Sequence, residues 1–329
     1  MYSEKYEKPS LDHGTKDLGP SAHSSPNSIQ SSTGISYHSF LRIAEITIGL
    51  ASNSSDLRFH FTGAMEKFLV DRCEPEIGIE VCWEEPRRDP QGKEISNSKT
   101  NWKLYSHNGS HLFQFTSPAF GPIPYKEALF NSDFSVGKIR LHRSFYPSEQ
   151  PIDPLGYPLD ELLVLNYLSC GRGVEVLACA VVNSQGDGYL FLDQSGASKS
   201  ATASLWMDQP QFMILADNRI VLRRQEGIQW IYRTPWQEDS RLASPGRAPL
   251  KRVYFLRKGL KTELIQLSSA DVVGRFLACS SPLSYIQESV QFIISFFERI
   301  PTNISCFELR FLSDTEIVDC ILVEAERAR

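Results

Sequence analysis

From residue 37 to about residue 143, apolar and polar residues alternate with a period of two. Residues 41–48 and 77–83 carry this alternation and read as half-buried strands. Two further apolar stretches, Trp102 to Tyr105 and Leu112 to Phe115, flank His107-Asn108-Gly109-Ser110. Asn-Gly readily supplies the positive φ angles of a tight hairpin, so this pair predicts two antiparallel strands. Residues 84–99 are polar and predict an exposed loop. This half reads as β-rich, with little visible chemistry.

The pattern changes after a proline-rich joint at 151–158. Residues 159–170 carry apolar side chains at helical spacing, and Gly171 and Gly173 suit the end of a helix. Residues 174–182 are a continuous apolar run, the mark of a buried strand. A turn at 184–188, a strand at 189–192, a polar loop and a helix starting near Ala201 follow. Residues 212–217 form another buried apolar run, ending on Asp217. Gln225-Glu226-Gly227 predicts a hairpin between 220–223 and 228–232. Strands are expected at 253–256 and 263–267, and amphipathic helices at 268–278 and 284–300. Residues 307–311 and 316–323 close the chain.

Composition narrows the function classes. Residues 1–36 are rich in Ser, Pro, Gly and charge, and predict a disordered tail. The chain then divides into a β-rich region over 37–150 and a second region over 151–329. The formal net charge of −5 argues against a broad nucleic-acid surface, which needs clustered Lys and Arg. No apolar run approaches the roughly 20 residues of a membrane helix. The polar start, Met1 to Asp17, lacks the apolar core of a secretory signal, so a cytoplasmic location is expected. None of the 7 cysteines has zinc-knuckle or redox spacing, and buried reduced thiols are the expectation. No histidine follows His142, so a hydrolase would need its base from the first half.

The candidate chemistry sits in the loop Asp193-Gln194-Ser195-Gly196-Ala197-Ser198-Lys199-Ser200. A phosphate-binding loop places Gly, four residues, Gly, Lys and Ser or Thr between a strand and a helix. Its backbone N–H groups curl around phosphates, its Lys reaches the terminal phosphates, and its hydroxyl holds Mg²⁺. Lys199 and Ser200 are in place; Asp193 and Ser198 stand where glycines are expected, making the loop a degenerate Walker A. Asp217 ends a buried strand shortly afterwards, where a metal-associated acid belongs in such enzymes. A turn-forming Asp is the other reading of that residue.

Several motifs in order resemble the HPr kinase family, within the HPr kinase and ATP-type PEP-carboxykinase class. They are Gly173-Val174-Glu175-Val176, Gly188-Tyr189-Leu190-Phe191, Ser195-Gly196-Ala197-Ser198-Lys199-Ser200 and Ile214-Leu215-Ala216-Asp217-Asn218-Arg219. Thr234-Pro235-Trp236, Pro249-Leu250 and Val253-Tyr254-Phe255-Leu256 continue the match, which covers roughly 158–323. The resemblance implies a mixed α/β fold: a PEP-carboxykinase-like P-loop core with a strongly bent mixed sheet, here preceded by a β-rich amino-terminal domain. It implies ATP or another nucleoside triphosphate, Mg²⁺, and phosphoryl transfer to a hydroxyl of a small carrier protein or a peptide. It also implies possible assembly as a homo-oligomer. Carried over by position, Ser195, Gly196, Ala197, Ser198, Lys199 and Ser200 would hold the nucleotide. Ser200 and Asp217 would hold the metal, with Asp217 as the general base or the metal-associated acid.

This chain departs from the family at Asp193, Ser198, Leu177, Asn218 and Arg233. Those departures support an alternative: a pseudokinase that kept the fold as a nucleotide- or partner-binding module. Arg223, Arg224, Arg233, Arg241, Arg247, Lys251 and Arg252 form a basic stretch among Trp230, Tyr232 and Trp236. It could balance a triphosphate or an acidic partner, or be a solvated hairpin face.

Overall fold

The computed structural model describes residues 37–87, 90–147, 150–193, 205–207, 209–237, 239–280, 287–312 and 315–327. The expected tail, 1–36, lies outside the described residues, as does the start of the helix expected at Ala201.

The phase of the apolar positions slips between Ile43 and Ile46, and the chain turns there. Residues 41–48 are therefore not one strand, as the alternation predicted, but a hairpin of β1 (Ser39–Ile43) and β2 (Ile46–Ala51). Ala44 and Glu45 take φ of 51° and 59°, the conformation a two-residue turn requires. Ile43 then faces Ile46, and Leu41 faces Ile48, all four fully buried.

Six more strands complete the first sheet: β3 (Ile77–Trp83), β4 (Lys93–Asn97), β5 (Trp102–His107), β6 (Ser110–Ser117), β7 (Gly121–Phe130) and β8 (Val136–Leu141). Their order is β1-β2-β3-β8-β7-β6-β5-β4, with parallel pairs at β2–β3 and β3–β8. The β5–β6 turn falls on Asn108 and Gly109, as Asn-Gly predicted, with φ of 50° and 76°. β4 lies inside the stretch expected to be a loop. It is an edge strand, where a polar sequence is tolerated because one side of the ladder faces solvent.

α1 (Leu159–Ser169) follows the joint and ends at Gly171, whose φ of 91° suits a helix C-terminus. The second sheet comprises β9 (Val174–Asn183), β10 (Gly188–Leu192), β11 (Phe212–Ala216), β12 (Arg219–Gln225), β13 (Ile228–Arg233), β14 (Arg247–Lys258), β15 (Glu263–Gln266) and β16 (Ser305–Phe311). Its path is β10-β9-β12-β13-β14-β16-β15, with β11 also on β9. β10 pairs in parallel with β14 as well, so the path β10-β9-β12-β13-β14 returns to its start. A sheet can close this way only by bending strongly. The remaining helices are α2 (Ser269–Ala278), α3 (Gln287–Glu298) and α4 (Thr315–Arg327). The fold is thus mixed α/β, with two multi-stranded mixed sheets and a strand-rich amino-terminal region, as expected.

The continuous apolar run of β9 is explained by burial on both faces. Val174, Val176, Ala178, Ala180 and Val182 join the core with α2 and α3. Cys179 and Val181 point the other way, into the core with Phe191, Trp206 and Tyr254. A third core lies along the first sheet and α1, and takes in Val221 and Tyr232 of the second. The seven cysteines form no disulfide, and Cys179, Cys279 and Cys306 are buried. No helix among the described residues is long and apolar enough to cross a membrane.

Candidate functional site

β9 organises the candidate site. On one side, Leu192 of β10 pairs with Ala178; on the other, the Ala178 N–H bonds the Asn218 carbonyl at 2.8 Å. The chain leaving β10 toward the 193–200 loop and the Asp217-Asn218 pair therefore flank the same residue. Two strand spacings, about 9–10 Å, separate them. Ser195, Gly196, Ala197, Ser198, Lys199 and Ser200 themselves lie outside the described residues.

Asp217 sits in a break between two strands on the same side of β9. β11 pairs with residues 180–183 of β9 through a register shift, and β12 pairs with residues 174–177. The register shift falls at Leu215; Asp217 and Asn218 form a two-residue bend between the strands, opposite Cys179 and Ala178, and Asp217 is 4% exposed. The Asn218 carbonyl keeps its bond to β9, but the N–H groups of Asp217 and Asn218 need partners elsewhere.

The Thr234-Pro235-Trp236-Gln237 turn supplies them. The Gln237 Oε1 accepts the backbone N–H of Asp217 at 2.9 Å and of Asn218 at 3.3 Å. Its Nε2 donates toward the Arg219 carbonyl at 2.8 Å and the Thr234 hydroxyl at 2.9 Å. The fully buried Thr234 donates its own hydroxyl to the Arg219 carbonyl at 2.7 Å. Farther along, the Asp239 N–H donates to Asp217 Oδ2 at 2.9 Å. Asp217 is thus fixed through its backbone and its carboxylate by one segment, 234–239. The turn-forming and site readings of Asp217 are not exclusive: the turn is what fixes the acid.

Arg233 closes the outer edge of β11. Its Nε donates to the Leu215 carbonyl, its Nη2 to the Ile214 carbonyl at 3.3 Å and its Nη1 to Ser244 Oγ at 2.7 Å. One guanidinium does here what a neighbouring strand does elsewhere.

A buried polar layer lies beside this clamp. The Trp236 indole N–H donates to Asp160 Oδ2 at 2.8 Å. Next to Asp160, Glu161 accepts from Arg219 Nε at 2.6 Å. The same Nε is 4.0 Å from Glu175, whose carboxyl oxygens have no hydrogen-bond donor among the described residues. Burial pushes Glu175 up to about 8, and the neighbouring Glu161 adds to this against the pull of Arg219. Glu175 therefore keeps its proton at neutral pH, and Arg219 is balanced by Glu161 alone. Cys179, buried under Asp217, is raised well above the thiol range by burial and then by that acid, so it is an inert thiol.

The basic stretch divides: Arg223 and Arg233 turn inward, while Arg224, Arg241, Arg247 and Lys251 stay exposed. Arg223 Nη1 donates to the Ala44 carbonyl at 2.7 Å, and Arg247 lies over Trp230 at 4.6 Å and 3.8 Å from Glu45. These two arginines grip the β1–β2 turn, tying the two sheets together. Arg241 pairs with Asp239 at 2.7 Å. The roles of Gln237, Thr234, Glu161 and Asp160 were not apparent in the sequence. The one signal was the adjacency of Gln237 to the Thr-Pro-Trp turn.

Among the described residues, no group of three or more His, Cys, Asp or Glu could hold a metal. Mg²⁺ does not require one, since it commonly takes one or two carboxylates, substrate phosphates and water. A single fixed carboxylate such as Asp217 fits that chemistry.

No family model and no curated protein matches the chain. Among solved structures, it is similar to the Hpr(Ser) kinase/phosphatase from Coxiella burnetii. The match has 12% identity and a TM-score of 0.28, over 47% of this chain and 96% of that one. That likeness is distant, and the functional reading rests on the chain's own residues.

Proposed function

We propose that the chain is an HPr-kinase-like phosphotransferase that passes a phosphoryl group from ATP to a hydroxyl of a protein or peptide. The observation that carries the reading is the fixed acid Asp217 flanking, across β9, the strand end that leads into Lys199 and Ser200. Bound ATP would supply the phosphoryl group, and Mg²⁺ would neutralise its charge. Lys199 would contact phosphate and Ser200 the metal. Asp217 would orient the acceptor hydroxyl and take its proton, or hold the metal. The clamp around Asp217 supports this, since a site needs its reacting groups held in place before substrate arrives. A carrier protein or peptide as acceptor, and assembly as a homo-oligomer, belong to the same reading.

Calorimetric titration of ATP with and without Mg²⁺, on wild type and Lys199→Ala, tests it. Binding that depends on Mg²⁺ and disappears in Lys199→Ala is expected. Folded wild-type protein that binds no Mg-ATP would sink the reading. Binding without phosphoryl transfer would favour a pseudokinase, which the departures at Asp193, Ser198, Leu177, Asn218 and Arg233 also suit.

A further inference from the structure

We propose that Gln237 is a positioning residue for Asp217: its side-chain amide sets the 217–218 bend in the shape that aims the acid. The inference rests on the phosphotransferase reading for its chemical consequence, though not for its geometry. Two backbone N–H groups, of Asp217 and Asn218, converge on one end of the Gln237 amide. Three acceptors, the Arg219 carbonyl, the Thr234 carbonyl and the Thr234 hydroxyl oxygen, meet the other end. Only a group that accepts at one end and donates at the other satisfies this arrangement. Neutral Gln does so; a carboxylate, an ammonium or a thioether does not.

The placement of these contacts gives them consequence. Ala216 still pairs with β9, and Arg219 resumes pairing. Between them the Asn218 carbonyl is held by β9, and the N–H groups of Asp217 and Asn218 are the ones Gln237 binds. The carboxylate of Asp217 is then held separately by the Asp239 N–H at 2.9 Å. Without the amide, the bend that carries the acid would lose the partner of both its N–H groups.

Three variants separate positioning from simple support. Gln237→Met keeps the volume and removes both hydrogen-bonding ends. Gln237→Glu restores them only when protonated, because a carboxylate would face the Arg219 and Thr234 carbonyls. Thr234→Ser keeps the hydroxyl and serves as a control for packing. Two readouts are needed: hydrogen-exchange protection of the Asp217 and Asn218 amides, and ATP affinity with Mg²⁺ and with EDTA.

In Gln237→Met, protection at both amides should fall by about fivefold to tenfold, the worth of one hydrogen bond of about 1 kcal/mol. The Mg²⁺-dependent gain in ATP affinity should fall by about tenfold, while affinity in EDTA stays unchanged. Gln237→Glu should match wild type at pH 5 and Gln237→Met at pH 8; Thr234→Ser should match wild type throughout. Unchanged amides in Gln237→Met would overturn the proposal. So would lost protection with the Mg²⁺-dependent gain intact, which would make Gln237 a support only. Wild type that binds no Mg-ATP would remove the phosphotransferase reading and the catalytic consequence with it. The amides would then still decide whether Gln237 sets the backbone at Asp217.

Discussion

Gln237 accepts the backbone N–H of Asp217 at 2.9 Å across 20 residues of sequence. That contact joins two motifs separated along the chain: the acid closing a buried strand, and the turn after a Thr-Pro-Trp. The acid sits where the ladder is interrupted, so its geometry is set by side chains of the turn rather than by strand pairing. Arg233 belongs to the same system. Its guanidinium binds the carbonyls of the strand leading to Asp217, so a residue directly before Thr234 has a structural use of its own.

Asp217→Asn is the most direct test of the acid. Asn keeps an oxygen to accept the Asp239 N–H, so the fold should be disturbed by no more than about 1 kcal/mol. Loss of the base should lower phosphoryl transfer by about a hundredfold to ten-thousandfold. The comparison is single-turnover transfer from radiolabelled ATP to a peptide mixture, with thermal unfolding measured in parallel. An Asn variant as active as wild type would remove Asp217 from the chemistry.

Trp236→Phe isolates the contact between the turn and α1. The indole N–H is a hydrogen-bond donor to the buried Asp160, whose carboxyl is already raised by burial. Phe keeps much of the packing and removes the donor to Oδ2, leaving the acid its Oδ1 bond from the Glu161 N–H. The expected loss is about 1–3 kcal/mol of unfolding free energy, read by urea denaturation. Asp160→Asn should recover part of it, because a neutral amide is cheaper to leave unpaired. A double variant no better than Trp236→Phe would show that packing, not the hydrogen bond, carries the effect.

The parts of the fold that follow from local rules were legible. The alternation, the Asn108-Gly109 turn, the Glu226-Gly227 turn and the helix end at Gly171 all appear where residue type demands them. The bend at Ala44-Glu45 was missed, although the phase slip between Ile43 and Ile46 encodes it. Those residues are poor turn formers, and their positive φ is sustained by the Arg223 and Arg247 contacts from the second sheet. The site was half legible. Asp217 stands out because it ends an apolar run; Gln237 meets Arg219 across the open end of the β12–β13 hairpin, and Glu161 reaches Arg219 from α1, contacts that no residue pattern announces. The inward turn of Arg223 and Arg233 was not legible either, because their partners lie far away along the chain.

Phe276→Ala tests the core that supports β9 from behind. Phe276 is fully buried, stacked on Phe297 at 4.6 Å and edge-on to Phe255 at 5.2 Å. Removing it should destabilise the chain by about 3–5 kcal/mol through lost burial and the cavity left behind. Phe276→Leu should lose less than half as much. The check is the urea midpoint at unchanged slope; a small shift for Ala would mean that α2 and α3 collapse into the space.

Glu175 gives a pH dependence with a definite sign. Its folded pKa is raised by burial from an ordinary 4.5 to about 8. Between those values the unfolded chain has released the proton and the folded chain keeps it, so stability falls as pH rises. The slope attributable to this one group reaches at most about 1.4 kcal/mol per pH unit, and ends near pH 8. Lys126 works in the opposite sense above that point. Burial holds it at about 8 against an ordinary 10.5, so the unfolded chain binds the extra proton and stability rises with pH. Glu175→Gln removes the first effect and leaves the second. Below pH 5 the variant should be the less stable, because Gln leaves a buried amide without partners. Its deficit should shrink steadily from pH 5 to pH 8, then stay constant. Parallel unfolding curves for wild type and Glu175→Gln across that range would mean that Glu175 is ionised in the folded chain, sharing Arg219 with Glu161.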